Sequence, residues 1–132
     1  MSVPAFLVSL VAMAVIDGIW LTLIARNLYR DNLGHLLADS TNWIAAGAFY
    51  LIYVAGTTFF ATQPGIDDGS PLTAAGRGAV LGIVAYATYD LTNHATLRGW
   101  PTIVTVVDMA WGAVLTAAVA GIAAFVVLRF SS

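Results

Sequence analysis

Three of the seven aspartates in this sequence lie inside long apolar stretches, where a carboxyl group is costly. They are Asp17, Asp90 and Asp108. An ionised carboxylate at the centre of a bilayer costs from about 3 to over 10 kcal/mol, and neighbouring carboxylates also repel one another. We therefore expect either that some of them are protonated or that a cation or cationic solute lies between them. Ionisable residues at such depth are typical of proton, ion or substrate sites.

The three aspartates are predicted to lie at one level of the membrane. Counted from the nearest loop residue, which is Arg26, Arg98 or Pro101, they are nine, eight and seven residues inside their stretches. If the stretches are helical, each aspartate lies roughly 10–14 Å from the same membrane face at 1.5 Å per residue. Their side chains can therefore meet at one site.

Tyrosine, asparagine and tryptophan residues recur near the same level. Tyr86, Tyr89 and Asn93 share one face of the third stretch with its aspartate. A tryptophan follows Asp17 and Asp108 by three residues, so that each indole can donate a hydrogen bond near a carboxyl. The predicted proton- or ligand-binding residues are Asp17, Asp90, Asp108, Tyr50, Tyr86, Tyr89, Asn93, Trp20 and Trp111. The alternative is a purely structural role, in which hydrogen bonds of the aspartates lock the helices together.

One histidine near this set raises the question of a metal ion. His94 follows Asp90 by four residues, so both side chains can reach one metal ion on the same helix face. His94 can equally be an interfacial histidine that faces water. No motif identifies a catalytic residue or a cofactor, so whether the chain is an enzyme stays open at this point.

The composition places these residues in an integral membrane protein. Hydrophobic residues make up 60% of the 132 residues and charged residues only 9%, which excludes an ordinary soluble globule and a disordered chain. Without cysteine there is no thiolate metal site and no cysteine nucleophile, and without lysine there is no Schiff base and no P-loop. The net charge of -2 gives no reason to expect a nucleic-acid partner.

Four apolar stretches reach the roughly 20 residues that a helix needs to cross a bilayer. They run over residues 3–25, 43–61, 72–97 and 102–128. Backbone groups in hydrocarbon must bond within their own segment, and these runs lack the alternation of a strand, so we predict helices. The predicted fold is an all-α, four-helix transmembrane bundle that forms a single domain over residues 1–132.

Turn residues separate the predicted helices. The segment 63–69 is predicted to be a polar turn, and Ser70 followed by Pro71 is typical of a helix start. In the last connection Gly99 suits the left-handed backbone that follows a helix, and Pro101 suits the first position of the next one. The third and fourth helices are therefore predicted to form an antiparallel hairpin.

The longer link over residues 26–42 is predicted to be partly helical. Its Leu33, Leu36 and Leu37 recur at helical spacing, which is typical of a short amphipathic helix at the membrane interface.

Small residues predict where the helices approach one another closely. Gly78 and Gly82 are four residues apart on the third stretch, and Gly112, Thr116 and Ala120 repeat at the same spacing on the fourth. Such spacing lets two backbones come into contact within a membrane.

Several segments together resemble a known family. The residues that carry the resemblance are 86–93, 95–98, Trp100-Pro101, Val107-Asp108 and Trp111-Gly112, with earlier pieces at 17–21, Tyr29-Arg30, 33–36 and 49–56. They are similar to domain-of-unknown-function family 2177, a family of small bacterial membrane proteins with four predicted spans. The resemblance covers nearly the whole chain and implies the four-span fold, but it implies no specific activity.

The sequence supports three functional hypotheses. In the first, the intramembrane site binds a proton, a cation or a cationic small solute and serves transport. In the second, the chain is a membrane-embedded enzyme or binding protein that acts on a lipid or isoprenoid, with an aspartate pair as acid and base or as metal ligands. In the third, it is an accessory subunit of a larger membrane complex. All three describe a multi-pass protein of the cell (inner) membrane that contacts lipid and associates with a second copy or a partner protein.

Overall fold

The computed structural model describes residues 1–131, and within them the chain is all-helical without strands. This confirms the predicted all-α class. Five helices follow one another along the chain. They are α1 (Val3–Ile24), α2 (Arg26–Leu33), α3 (Trp43–Asp67), α4 (Pro71–Thr96) and α5 (Thr102–Phe130).

Three of the four long helices have the length and apolar composition of a membrane span. They are α1, α3 and α5, with 22, 25 and 29 residues. Helix α4 has 26 residues but is less apolar, because it carries Arg77, Asp90 and His94 along with several small polar residues. The composition of the third predicted span is therefore weaker than that of the other three.

Side-chain caps set the starts of three helices. The hydroxyl of Ser2 accepts a hydrogen bond from the Ala5 amide (3.2 Å), and the hydroxyl of Ser70 accepts one from the Thr73 amide (3.1 Å). Asn42 caps α3 in the same way. Each cap satisfies an amide that has no partner in the first turn of a helix. The start predicted at Ser70 is confirmed.

Helix α3 continues through the segment that was predicted to be a polar turn, so the prediction for residues 63–67 is wrong. A π-helical turn at Thr58–Thr62 carries the chain into it. Pro64 has no amide proton to donate to the carbonyl of Phe60, which lies four residues before it. Arg77 from α4 donates its Nε–H to that carbonyl instead (2.7 Å). A long-range bond thus sustains a helix that the local sequence would end.

Helix α2 confirms that the link over residues 26–42 is partly helical, but it lies earlier in the link than the leucine spacing predicted. It follows α1 directly after a π-helical turn, in which the Ala25 amide donates to the Trp20 carbonyl (2.7 Å). The leucines that predicted a helix do not share it, because α2 ends at Leu33 while Leu36 and Leu37 lie beyond it and are exposed. Leu33 is buried against Trp100 instead. Leu33, together with the partly buried Tyr29, therefore packs this helix against the layer of Trp100 and Val104.

Helices α4 and α5 form the predicted antiparallel hairpin, and their backbones touch. The turn between them contains Gly99 with φ +76°, as predicted, while Pro101 lies just before the first residue of α5. A Cβ atom built on Gly82 would overlap the carbonyl of Gly112. Replacement of Gly78 would bring a Cβ against the carbonyl of Thr116. The predicted close approach of small residues is confirmed.

Helix α5 forms the centre of the molecule, packed against α1, α3 and α4. The middle layer of the core consists of Met13, Tyr53, Val54, Leu115 and Val119. Small side chains fill the layer near the α3–α4 turn, namely Ala61, Ala74, Ala120 and Ala124. The third layer, near the α4–α5 turn, consists of Leu33, Trp100 and Val104. The predicted site residues lie between this last layer and the middle one.

Candidate functional site

Asp90 of α4 and Asp108 of α5 form a buried carboxyl pair. Asp90 is 0% exposed and Asp108 is 7% exposed. Their carboxyl groups lie close enough to interact with each other. Both side chains lean towards the start of their own helix, as helical side chains do. In an antiparallel hairpin this directs Asp90 back towards the Gly82 crossing and Asp108 away from it, so the two groups meet.

The pair cannot be stable with two negative charges. Apart from the Asp108 carboxyl, no donor within residues 1–131 reaches either oxygen of Asp90. Two carboxylates 4 Å apart repel by about 4 kcal/mol even at an effective dielectric constant of 20. A buried acceptor with no donor adds a further desolvation cost. Two negative charges on this pair are therefore unfavourable, and a positive charge between its oxygens would relieve the repulsion.

Tyr29 connects this pair to α2. Its hydroxyl donates to Asp108 Oδ1 and accepts a hydrogen bond from the Trp20 indole (3.3 Å). Burial raises the pKa of the Tyr29 hydroxyl, and the bond to Asp108 raises it further. Tyr29 therefore keeps its proton and acts as a hydrogen-bond donor to the Asp108 carboxyl.

Sequence reasoning did not include Tyr29 among the site residues. One signal was available, because Tyr29 lies four residues before Leu33 and shares its helix face. A buried Leu33 thus places Tyr29 on the inner side of α2.

Asp17 of α1 is held in a different way and is 9% exposed. The Trp111 indole donates to its Oδ1 (3.4 Å), and the Tyr50 hydroxyl lies 3.5 Å from its Oδ2. The single proton of the Tyr50 hydroxyl is shared with the carbonyl of Met13, which lies nearer at 3.0 Å. Both oxygens of Asp17 therefore face donors, whereas those of Asp90 do not.

Trp20 and Trp111 stack on each other, and each donates a hydrogen bond to a residue on another helix. Their rings stack with centroids 4.3 Å apart and an interplanar angle of 9°. Each tryptophan was predicted to donate near the aspartate that precedes it in sequence, but the structure shows the opposite arrangement. Trp111 of α5 donates to Asp17 of α1, while Trp20 of α1 donates to Tyr29 and so serves Asp108. The stack thus joins α1 and α5 at the level of the site.

The remaining predicted residues lie around the outer side of the pair. The Tyr86 ring packs directly over Gly112, where any side chain would displace it. Tyr89 meets Trp100 edge to face with centroids 5.9 Å apart, and the Asn93 side chain lies beside the Tyr89 hydroxyl.

His94 contacts threonines of α5. Its Nδ1 lies 3.3 Å from Thr105 Oγ1 and its Nε2 lies 3.5 Å from Thr102 Oγ1. Within residues 1–131 no three histidine or acidic side chains gather in a way that could hold a metal ion. The predicted pairing of His94 with Asp90 at a metal therefore gains no third histidine or acidic ligand among the described residues.

A cleft between α3 and α4 leads to the carboxyl pair. We call it the aromatic cleft, and its lining consists of Phe49, Tyr53, Ala85, Tyr86, Tyr89 and Asp108. Its volume is about 480 Å³, which is typical of pockets for small molecules. Two of its residues, Phe49 and Tyr53, were not among the predicted site residues. Their four-residue spacing on one helix face was the available signal.

Comparison with known proteins identifies one family. The family model described as "Predicted membrane protein (DUF2177)" matches residues 2–125. No curated protein and no solved structure matches the chain.

Proposed function

The chain belongs to the DUF2177 family of predicted membrane proteins, and we propose that it binds a proton or a cation at the Asp90–Asp108 pair and serves transport of a small cationic solute. The observation that carries this proposal is Asp90, which is fully buried and receives no donor except the neighbouring carboxyl. A buried carboxyl lowers the stability of a membrane protein, so such residues are typical of sites that bind protons, ions or substrates.

We infer that α4 crosses the membrane with the other three long helices. At 1.5 Å per residue its 26 residues extend about 39 Å, which exceeds a hydrocarbon core of about 30 Å. It packs along α5, which has the composition of a span, and its most costly polar group is buried inside the bundle. Four crossings in the cell (inner) membrane are therefore the arrangement that the proposal requires.

The chemistry proposed at the pair is an exchange of one positive charge for another. With one proton between the two carboxyls the pair carries a net charge of −1, and a monovalent cation that displaces the proton leaves this charge unchanged. Exchange of a proton for a solute at such a site is the elementary step of coupled transport. The tyrosines that lie close enough to act on the pair come from α2 and α4, namely Tyr29, Tyr86 and Tyr89.

The experiment is infrared spectroscopy of the purified protein near neutral pH. A protonated carboxyl absorbs separately from a carboxylate, so the wild type should show a protonated band. Asp90→Asn or Asp108→Asn should remove this band, because the remaining carboxyl then faces an amide donor and ionises. Asp39→Asn, at an exposed loop position, is the matched control and should leave the band unchanged.

Transport is then measured in proteoliposomes that enclose a pH indicator. Addition of tetramethylammonium outside should release protons from the inside in the wild type, and the two substitutions should abolish this flux. A wild-type spectrum without a protonated band contradicts the proposed site. Equal flux in the wild type and in the Asn variants of all three buried aspartates contradicts the proposed transport.

A second function, recognition of a lipid or isoprenoid, is favoured by the apolar lining of the aromatic cleft. Phe49 and Tyr89 are both more than half exposed at its edge, so the cleft faces the side of the bundle that contacts lipid. An apolar chain can therefore reach Asp108 from the bilayer without crossing water. The two functions differ in whether the ligand must carry a positive charge.

Association of the bundle is proposed on its size. A four-helix bundle of 132 residues encloses little volume, so we propose that it pairs with a second copy or with a partner protein. Chemical cross-linking of the protein in native membranes should then give a product larger than the single chain.

A further inference from the structure

The aromatic cleft has walls whose positions are fixed by other contacts. Tyr53 is held by a hydrogen bond between its hydroxyl and Thr116 Oγ1 (2.8 Å). It stacks with Phe49 at 5.5 Å and meets Tyr86 edge to face at 6.3 Å between ring centroids. Tyr86 is in turn seated on Gly112. The ring surfaces of the cleft are therefore set before any ligand enters.

One charged group lies among these rings. Asp108 is the one carboxyl or basic residue in the lining, and Tyr29, which is not part of the lining, donates to its Oδ1. Asp90 lies next to Asp108. Its side chain is fully buried, and no hydrogen-bond donor other than the Asp108 carboxyl reaches it. The negative potential of the cleft is thus concentrated at its inner end.

This combination does not suit a bare inorganic cation. Calcium takes six to eight oxygen ligands, and magnesium takes six that include several waters. The cleft offers one carboxyl and few hydroxyls, and the Tyr53 hydroxyl is already bonded to Thr116. Aromatic faces next to a carboxyl instead suit a weakly hydrated cation, because a ring face attracts positive charge without replacing a full hydration shell.

We propose that the aromatic cleft binds an organic cation with an apolar, ring-containing body, whose positive centre lies at Asp108 and whose body lies against Phe49, Tyr53 and Tyr86. The ligand enters sideways from the bilayer, between α3 and α4. This inference rests on the proposed function of the carboxyl pair, since the bound cation supplies a positive charge that relieves the repulsion within the pair. It adds the chemical class of the solute and its route of entry.

The experiment measures binding to the full chain in nanodiscs, with benzyltrimethylammonium as the probe. Neopentylbenzene has the same shape without the charge, and tetramethylammonium has the charge without the ring. Benzyltrimethylammonium should bind at least about tenfold more tightly than either, because only it uses both the carboxyl and the rings. Na⁺ should compete weakly.

A pair of matched variants tests the wall of the cleft. Phe49→Leu keeps an apolar side chain but removes a ring face, and it should weaken binding of the probe roughly 3- to 30-fold. Phe125→Leu is the control, since Phe125 is also more than half exposed but lies on α5 outside the cleft. It should leave binding unchanged within about twofold.

The outcomes separate this inference from the function on which it rests. Equal binding of neopentylbenzene and the charged probe overturns the inference and favours a lipid or isoprenoid ligand. Equal effects of Phe49→Leu and Phe125→Leu also overturn it. In both cases the infrared band still tests the proposed proton site at the carboxyl pair independently of ligand binding. If the probe binds as expected but the wild type lacks the protonated band, the cleft is supported and the proton site is rejected.

Discussion

Substitution of Gly82 by alanine tests whether the contact between α4 and α5 sets the site. The added Cβ would overlap the Gly112 carbonyl and lie 2.9 Å from Thr116 Oγ1. Because ordinary contacts between carbon and other heavy atoms are about 3.5 Å, the two helices must separate by an appreciable fraction of an ångström or more. Forced overpacking of this kind costs about 1–3 kcal/mol.

Gly76→Ala on the same helix provides the matched control. A Cβ at Gly76 meets nothing within 4 Å, so this variant gains only the higher helix propensity of alanine, up to about 1 kcal/mol. Gly82→Ala gains the same propensity and also suffers the overlap. The difference between the two variants therefore isolates the overlap, and we expect Gly82→Ala to be less stable than Gly76→Ala by about 1–3 kcal/mol.

The measurement is the free energy of unfolding in mixed micelles, followed by circular dichroism. Infrared spectra of the same samples test whether the proposed protonated carboxyl band changes, since separation of α4 from α5 moves the carboxyls of Asp90 and Asp108 apart. Equal stability of Gly82→Ala and Gly76→Ala would refute the close crossing. A stability difference with an unchanged carboxyl band would show that the crossing does not set the geometry of the site.

Two further predictions concern bonds that cross between helices. Because burial raises the pKa of Tyr29 above its usual value near 10, the folded state holds this proton more tightly than the unfolded state. The contribution of the Tyr29 proton to stability should be complete below about pH 10 and be lost as the pH rises above that value. Tyr29→Phe should remove this part of the pH dependence of the unfolding free energy. Arg77→Leu should lower the unfolding free energy by about 1–3 kcal/mol, because it leaves the Phe60 carbonyl without a donor; Pro64→Ala in the same background should restore part of this loss by supplying an amide.

Each of these predictions has a defined contrary result. If the wild type and Tyr29→Phe lose stability in parallel between about pH 9 and 12, the raised pKa of Tyr29 is not linked to folding. If Pro64→Ala has the same effect with Arg77 present as with leucine there, the arginine does not replace the missing helical bond. Such a cycle measures the coupling between the two positions directly.

The sequence predicted the helices most reliably where local chemistry decides them. Ser70 and Gly99 act at the ends of α4 as their types require, because a cap and a left-handed residue depend on neighbours within one turn. The prediction was wrong for residues 63–67, where proline and glycine favour a turn. There Arg77, which is distant in sequence, supplies the donor that lets α3 continue. A bond between separate helices cannot be read from local propensity.

The composition and the placement of the aspartates by themselves determined a helical membrane protein with carboxyl groups at one level. These follow from the cost of charge and of unpaired backbone groups in hydrocarbon, which acts on each segment separately. Only the tertiary structure decided which groups meet. In it Asp90 lies next to Asp108, and Trp111 donates a hydrogen bond to Asp17. Tyr29, from the link between the first two predicted spans, donates to Asp108. Depth along a helix is fixed by residue count, but the direction of a side chain towards a partner depends on how the helices rotate and cross, and here the backbone contact between Gly82 and Gly112 sets that crossing.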